Sequence, residues 1–149
     1  MAGMVAMKPK QWSFPDKVVI APCTGMGQTA GTITRQAAYR VVEQLSPDDT
    51  VLLCPPAYNI NVEEDVEMVE QNPGRIIVIE GCANLCMTKA LKAKGHAPSV
   101  TIMIPKIVAK KGLTLEKSKN RSRLTEVEDR IVSAVADEVV ESVKSLKPG

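Results

Sequence analysis

Apolar residues arrive along this chain in short uninterrupted runs that alternate with longer, periodic segments. Val18-Val19-Ile20 and Ile76-Ile77-Val78-Ile79 are continuous runs with no polar alternation. Such runs suit parallel strands buried on both faces. The pattern predicts strands over Lys17–Ala21, Thr50–Leu53, Arg75–Glu80 and Ser99–Ile104. Between them the spacing turns helical. Ile33, Ala37, Val41 and Leu45 form one stripe of a helix over Gly31–Leu45, and Ser46-Pro47 stops it. Shorter helices are predicted over Glu63–Gln71, bounded by Asn72-Pro73-Gly74, and over Ala83–Lys94, closed by Gly95. The last helix opens on a capping box, Thr125 with Glu128, and carries Ile131, Val135, Val139 and Val143 behind it. Pro55-Pro56 is read as the break after the second strand, Pro105 as the stop of the fourth, and residues 106–123 as a basic loop.

Strand and helix alternating four times predict an α/β fold: a single-domain, doubly wound, Rossmann-like three-layer sandwich with a four-stranded parallel sheet. Residues 1–15, with Pro9 and Pro15 and no period, form an irregular N-terminal arm, and 16–149 the single domain. The final helix is expected to cover the sheet rather than form a dimer seam, although a homodimer or a protein partner stays open.

Composition narrows the function classes. The 149 residues are 44% hydrophobic and 24% charged, a globular balance, while aromatics at 3% leave the core to aliphatic side chains. A net charge of +2 is too small to argue for a nucleic-acid partner. No apolar run approaches the ~20 residues of a membrane span, and Met1–Lys10 does not read as a secretory leader. A cytoplasmic protein is expected, in a compartment where thiols stay reduced.

That expectation bears on the four cysteines. Ligands of doubly wound sheets bind beyond the carboxyl ends of the strands. Cys23 ends the first predicted strand, Cys54 the second and Cys82 the third, and Cys86 lies one helical turn further on. Four thiolates complete a shell for Zn²⁺ or an iron–sulfur cluster. Cys82 and Cys86, at i and i+4, face the same way if the helix begins near Ala83. A helix amino end also favours thiolate over thiol. The plainer alternative is that Cys23 and Cys54 are small buried hydrophobes. No paired Cys-x-x-Cys set of the finger or ribbon type is present.

Glu80-Gly81-Cys82-Ala83-Asn84-Leu85-Cys86-Met87-Thr88-Lys89-Ala90-Leu91 resembles the naming motif of the DGC-domain proteins, a prokaryotic family to which zinc binding is attributed. Its Asp-Gly-Cys is followed by a second cysteine four residues later. Cys23-Thr24-Gly25, with Gly27-Gln28 and Gln36-Ala37-Ala38, resembles the family's first motif, and Cys54 falls where it has a lone cysteine after the second strand. Glu80 replaces the Asp with its charge kept, and Pro55-Pro56-Ala57-Tyr58 replaces a glycine-rich run. The resemblance spans about Val18 to Gly95 and implies Cys23, Cys54, Cys82 and Cys86 as the metal ligands. It carries no assigned activity with it.

Other signals are weaker. Thr24–Thr29 lies where doubly wound proteins hold a flavin or nucleotide phosphate; with only Trp12, Phe14, Tyr39 and Tyr58 to sandwich a flavin, an ordinary tight turn is the better account. Cys23 lacks the Arg six residues on that a phosphate-loop nucleophile needs, since Thr29 stands there. His96, the lone histidine, is read as a solvent-facing loop residue. Glu80 either orients a ligand or caps the following helix. The chain is thus read as a Zn-binding protein in a structural, sensing or metal-carrier role rather than an enzyme. The alternatives are an iron–sulfur protein in electron transfer or cluster delivery, a thiol redox or sulfur-carrier protein, and a flavodoxin-like flavin binder.

Overall fold

The computed structural model describes residues 11–116 and 120–149. Its sheet has the order β2-β1-β3-β4, all parallel, with β1 at Val18–Pro22, β2 at Thr50–Leu52, β3 at Ile76–Glu80 and β4 at Val100–Met103. The two continuous apolar runs become the two central strands, and every residue of β1 and β3 is buried. Edge strand β4 buries only Ile102 fully. Side chains alternate between the faces as the pleat requires. Val18, Ile20, Ile77 and Ile79 join one core with helices α1 (Thr29–Arg40), α5 (Ile104–Lys110) and α6 (Glu126–Leu146). Val19, Ala21, Ile76 and Val78 join the other, with α2 (Pro55–Asn59), α3 (Glu63–Glu70) and α4 (Cys86–Ala93). Two apolar cores, one on each side of the sheet, make the three-layer sandwich that the alternation predicted.

The chain leaves β1 through α1 toward β2, then crosses back through α2 and α3 on the opposite face to reach β3. Successive crossovers on opposite faces put the topological switch between β1 and β3, and the crevice there is the ligand position of such folds. Cys23 follows β1 and Gly81-Cys82 follow β3, so two of the predicted thiols flank that crevice. The α6 stripe of Ile131, Val135, Val139 and Val143 is fully used in the chain's own core, with α1 its main neighbour.

Prolines account for two differences from the sequence reading. Pro55-Pro56 starts α2 instead of breaking the chain, and Pro105 starts α5 within the stretch expected to be a loop. The first turn of a helix has no intrahelical use for its N–H groups, so proline loses nothing there and its fixed φ favours entry. Buried Ile104 and Ile107 then hold α5 on the core. After Arg40 the first helix widens through Val41–Leu45 into a π-helical turn, closed by Ser46 N–H on the Val41 carbonyl at 2.8 Å. The N-terminal arm is described from Gln11 onward; residues 1–10 of the predicted arm lie outside the described part. Gln71 and Asn72 hold it: Phe14 N–H donates to Gln71 Oε1 at 2.7 Å, and Asn72 Nδ2 donates to the Phe14 carbonyl at 3.0 Å.

Candidate metal centre

Cys23 continues the ladder of the central strands, its N–H donating to the Ile79 carbonyl at 2.9 Å. The sulfur is half-buried. It accepts the Gly81 N–H at 3.4 Å and lies 3.7 Å from Thr34 Oγ1. Fully buried Thr34 gives its hydroxyl proton to the Gly31 carbonyl at 2.7 Å and accepts Thr24 N–H at 3.1 Å. Its oxygen is therefore left as an acceptor for the Cys23 thiol. Gly81 packs closely here: a Cβ there would meet Ala30 at 3.3 Å, tighter than an ordinary contact. The end of β3 thus presses on the first turn of α1 and brings its N–H to the sulfur.

Cys86 is the first residue of α4, three positions later than the sequence predicts for that helix. The cause is Glu80. Its carboxylate is buried at the end of β3 and accepts the N–H groups of Met87 at 3.3 Å and Thr88 at 2.8 Å. These are orphan donors of a helix amino end, and the carboxylate both bonds them and answers the helix dipole. Glu80 is thus the cap of α4 rather than a partner of Cys82. Cys82 sits in the preceding turn, where Leu85 N–H reaches the Cys82 carbonyl at 3.3 Å. The i, i+4 pairing of Cys82 and Cys86 on one helical face does not exist, because residues 82–85 are not helical.

Cys54 precedes α2, and its N–H donates to Asp65 Oδ1 at 2.7 Å. Asp65 is buried in the first turn of α3, so α3 pins the loop that carries this thiol. Sequence reading missed both Asp65 and Thr34. An acid in the first turn of a predicted helix and a threonine among the alanines of α1 were visible, but their targets are not local in sequence.

All four cysteines are free thiols; Cys54 and Cys86 are exposed, Cys23 and Cys82 half-buried. Cys23 and Cys86 line one cavity of about 180 Å³, walled by Pro55, Pro56, Asn59 and Met87. Cys54 opens onto an adjoining groove of about 310 Å³ that shares Thr24, Pro55 and Pro56 with the first and adds Met26, Arg35 and Tyr39. Cys82 lines neither. Among the described residues, no three His, Cys, Asp or Glu side chains stand close enough to hold one metal ion. By donor chemistry the edge fits a thiophilic metal, since four free thiols serve one edge of the sheet. By position Cys23 and Cys86 share a cavity that Cys54 and Cys82 do not line.

Backbone strain gathers at the same loops. Thr24, next to Cys23, has φ 53°, and Leu85, next to Cys86, has φ 52°. The left-handed region costs a non-glycine residue about 1–3 kcal/mol, and such strain clusters at ligand sites. His96 lies elsewhere. It is half-buried rather than solvent-facing, its ring Nε2 pairs with Glu70 at 2.9 Å, and it belongs to the turn entering β4 at the amino edge of the sheet. No helix among the described residues is long and apolar enough to cross a membrane.

The fold and this edge define a doubly wound α/β protein with a cysteine-bearing crevice at its topological switch. The family model of the DGC domain matches residues 19–139. The chain belongs to the DGC domain family. No curated protein and no solved structure matches it.

Proposed function

We propose that this protein binds Zn²⁺ through Cys23, Cys54, Cys82 and Cys86 at the carboxyl edge of its sheet, in a structural, sensing or metal-carrier role. The observation that carries the reading is the shared cavity of Cys23 and Cys86, which come from loops after the two central strands. Cys54 stands across the Pro55-Pro56 wall, and Cys82 occupies the turn between Gly81 and Cys86. Bound Zn²⁺ supplies no redox chemistry, and a full thiolate shell leaves no open position for substrate. Membership of a family with attributed metal binding supports the class of ligand. The strained residues Thr24 and Leu85 support loop adjustment as the means by which the outer two thiols join the inner two.

Metal analysis of anaerobically purified protein, with a visible spectrum, tests the reading. A colourless protein with about one zinc per chain supports it. Brown colour with iron and sulfide replaces zinc by a cluster, and yellow colour released on denaturation points to a flavin. Cys54→Ser separates four ligands from fewer: unchanged zinc affinity removes Cys54 from the shell.

A dithiol protein is the second reading, favoured by the cavity that Cys23 and Cys86 share. In that case no metal binds even after reconstitution, and the pair reacts with a disulfide substrate.

A further inference from the structure

The amino end of α1 opens into a separate cavity of about 300 Å³, at the small end of the ligand-site range. Gly27, Gln28, Thr29 and Ala30 form one wall and Arg121 the other. No side chain caps this helix, and its first turn contains no acid. The N–H groups of Gly31 and Thr32 turn back to the Gln28 carbonyl, at 3.1 and 3.4 Å. Those of Thr29 and Ala30 come before any intrahelical acceptor.

Two further observations point to a ligand. Thr29 is 5% exposed and lines the cavity, yet no hydrogen bond engages its hydroxyl among the described residues. The hydroxyl is not sealed in but open to the cavity, free to give and accept hydrogen bonds there. Arg121 is carried in from the far end of the chain, anchored by the Thr32 hydroxyl on its carbonyl at 2.6 Å. Its Nη1 comes to 3.9 Å from where a Gly27 side chain would begin, and no acid among the described residues pairs with it. The turn read from sequence as merely tight therefore faces an unpaired guanidinium.

We propose that this cavity binds the phosphate of a small phosphate monoester, held by the Thr29 and Ala30 N–H groups, the Thr29 hydroxyl and the Arg121 guanidinium. Backbone donors, helix dipole and a forked cation suit phosphate together. Glu116 also lines the cavity, where its carboxylate can accept a hydrogen bond. That acceptor favours an ester whose organic part carries a hydroxyl over inorganic phosphate, which has no organic part to reach it. The cavity lies on the same edge of the sheet but shares no lining residue with the two that the cysteines line, and it does not depend on the metal reading.

Amide NMR of the full chain, titrated with inorganic phosphate and with glycerol phosphate at ionic strength matched by chloride, tests the proposal. Saturable shifts at Thr29 and Ala30 are expected, and absence of saturation, or equal shifts from chloride, overturns it. Arg121→Ala, at an exposed position, should weaken both ligands about tenfold, the loss of one charge-assisted hydrogen bond. Thr29→Val keeps the shape and should weaken them several-fold. Wild-type affinity in both variants overturns the assignment. Glycerol phosphate should bind more tightly than inorganic phosphate, and Glu116→Gln should erase that advantage. Equal affinity in the wild type overturns the monoester and reduces the cavity to a bare oxyanion site.

Discussion

Replacing Gly31 by alanine tests the packing that holds the Cys23 loop. Glycine inside a helix is ordinarily a weakness, and a free Gly→Ala change stabilises by about 1 kcal/mol. Here a Cβ would lie 1.8 Å from the Gly25 carbonyl oxygen, 2.4 Å from its carbon and 2.6 Å from its nitrogen. The opposing atoms are backbone, so no rotamer can yield. To restore contact near 3.5 Å the loop must retreat by roughly 1.7 Å. Gln28 N–H on the Gly25 carbonyl and Thr24 N–H on Thr34 are then stretched or lost. Each is worth about 1 kcal/mol, and overpacking adds about 1–3 kcal/mol. Set against the helix gain, the net is a loss of about 2–4 kcal/mol. For a chain of this size that lowers Tm by about 4–16 °C. Thermal and urea denaturation read it directly, and under the proposed zinc binding the zinc affinity should fall as well, because Gly25 lies two residues from Cys23. A variant with a raised Tm would refute the reasoning, since the helix term alone would then have decided the sign.

Three more outcomes are expected. Glu80→Gln keeps the shape but removes the charge on the α4 amino end, and should cost about 2 kcal/mol with faster amide exchange at Met87 and Thr88; a change within about 0.5 kcal/mol would mean the cap is idle. Tyr58→Phe should stabilise by about 1 kcal/mol, because the Tyr58 hydroxyl is sealed in without a partner among the described residues. Burial, with Glu70 adding repulsion, pushes Tyr58 up to about 12, so its contribution is whole below the unfolded value near 10 and is lost as pH climbs through 12. The Phe variant should lack that alkaline loss, and urea midpoints from pH 9 to 12 would reveal one that kept it. Glu128 is held below its ordinary value mainly by the Thr125 hydroxyl. A depressed carboxylate contributes stability above its unfolded value, about 4.3, that disappears as pH falls through the folded one. Thr125→Ala should cost about 1 kcal/mol at pH 7, and the gap to wild type should narrow at pH 3; a widening gap would contradict the capping box.

Where the decisive interactions are local, the chain is legible without its structure. Continuous apolar runs at 18–20 and 76–79 can be buried only on two faces, which made β1 and β3 central. The capping box at Thr125 and Glu128 is a bond between residues three apart and falls where the spacing says. The strand-end positions of Cys23, Cys54 and Cys82 followed from the same alternation. Proline was the local signal read in the wrong sense, since it starts a helix as readily as it ends a strand.

Tertiary structure decided what depends on distant partners. Glu80 could cap α4 or serve Cys82, and only its distances to Met87 and Thr88 chose the cap, which moved the helix start to Cys86. The pairing of thiols changed with it: Cys86 shares its cavity with Cys23, 63 positions away in number, and not with its sequence neighbour Cys82. Arg121 at the amino end of α1 belongs to the same class of fact. Periodicity records which face of an element is apolar, but a crevice between crossovers is assembled from loops whose contacts leave no period behind them.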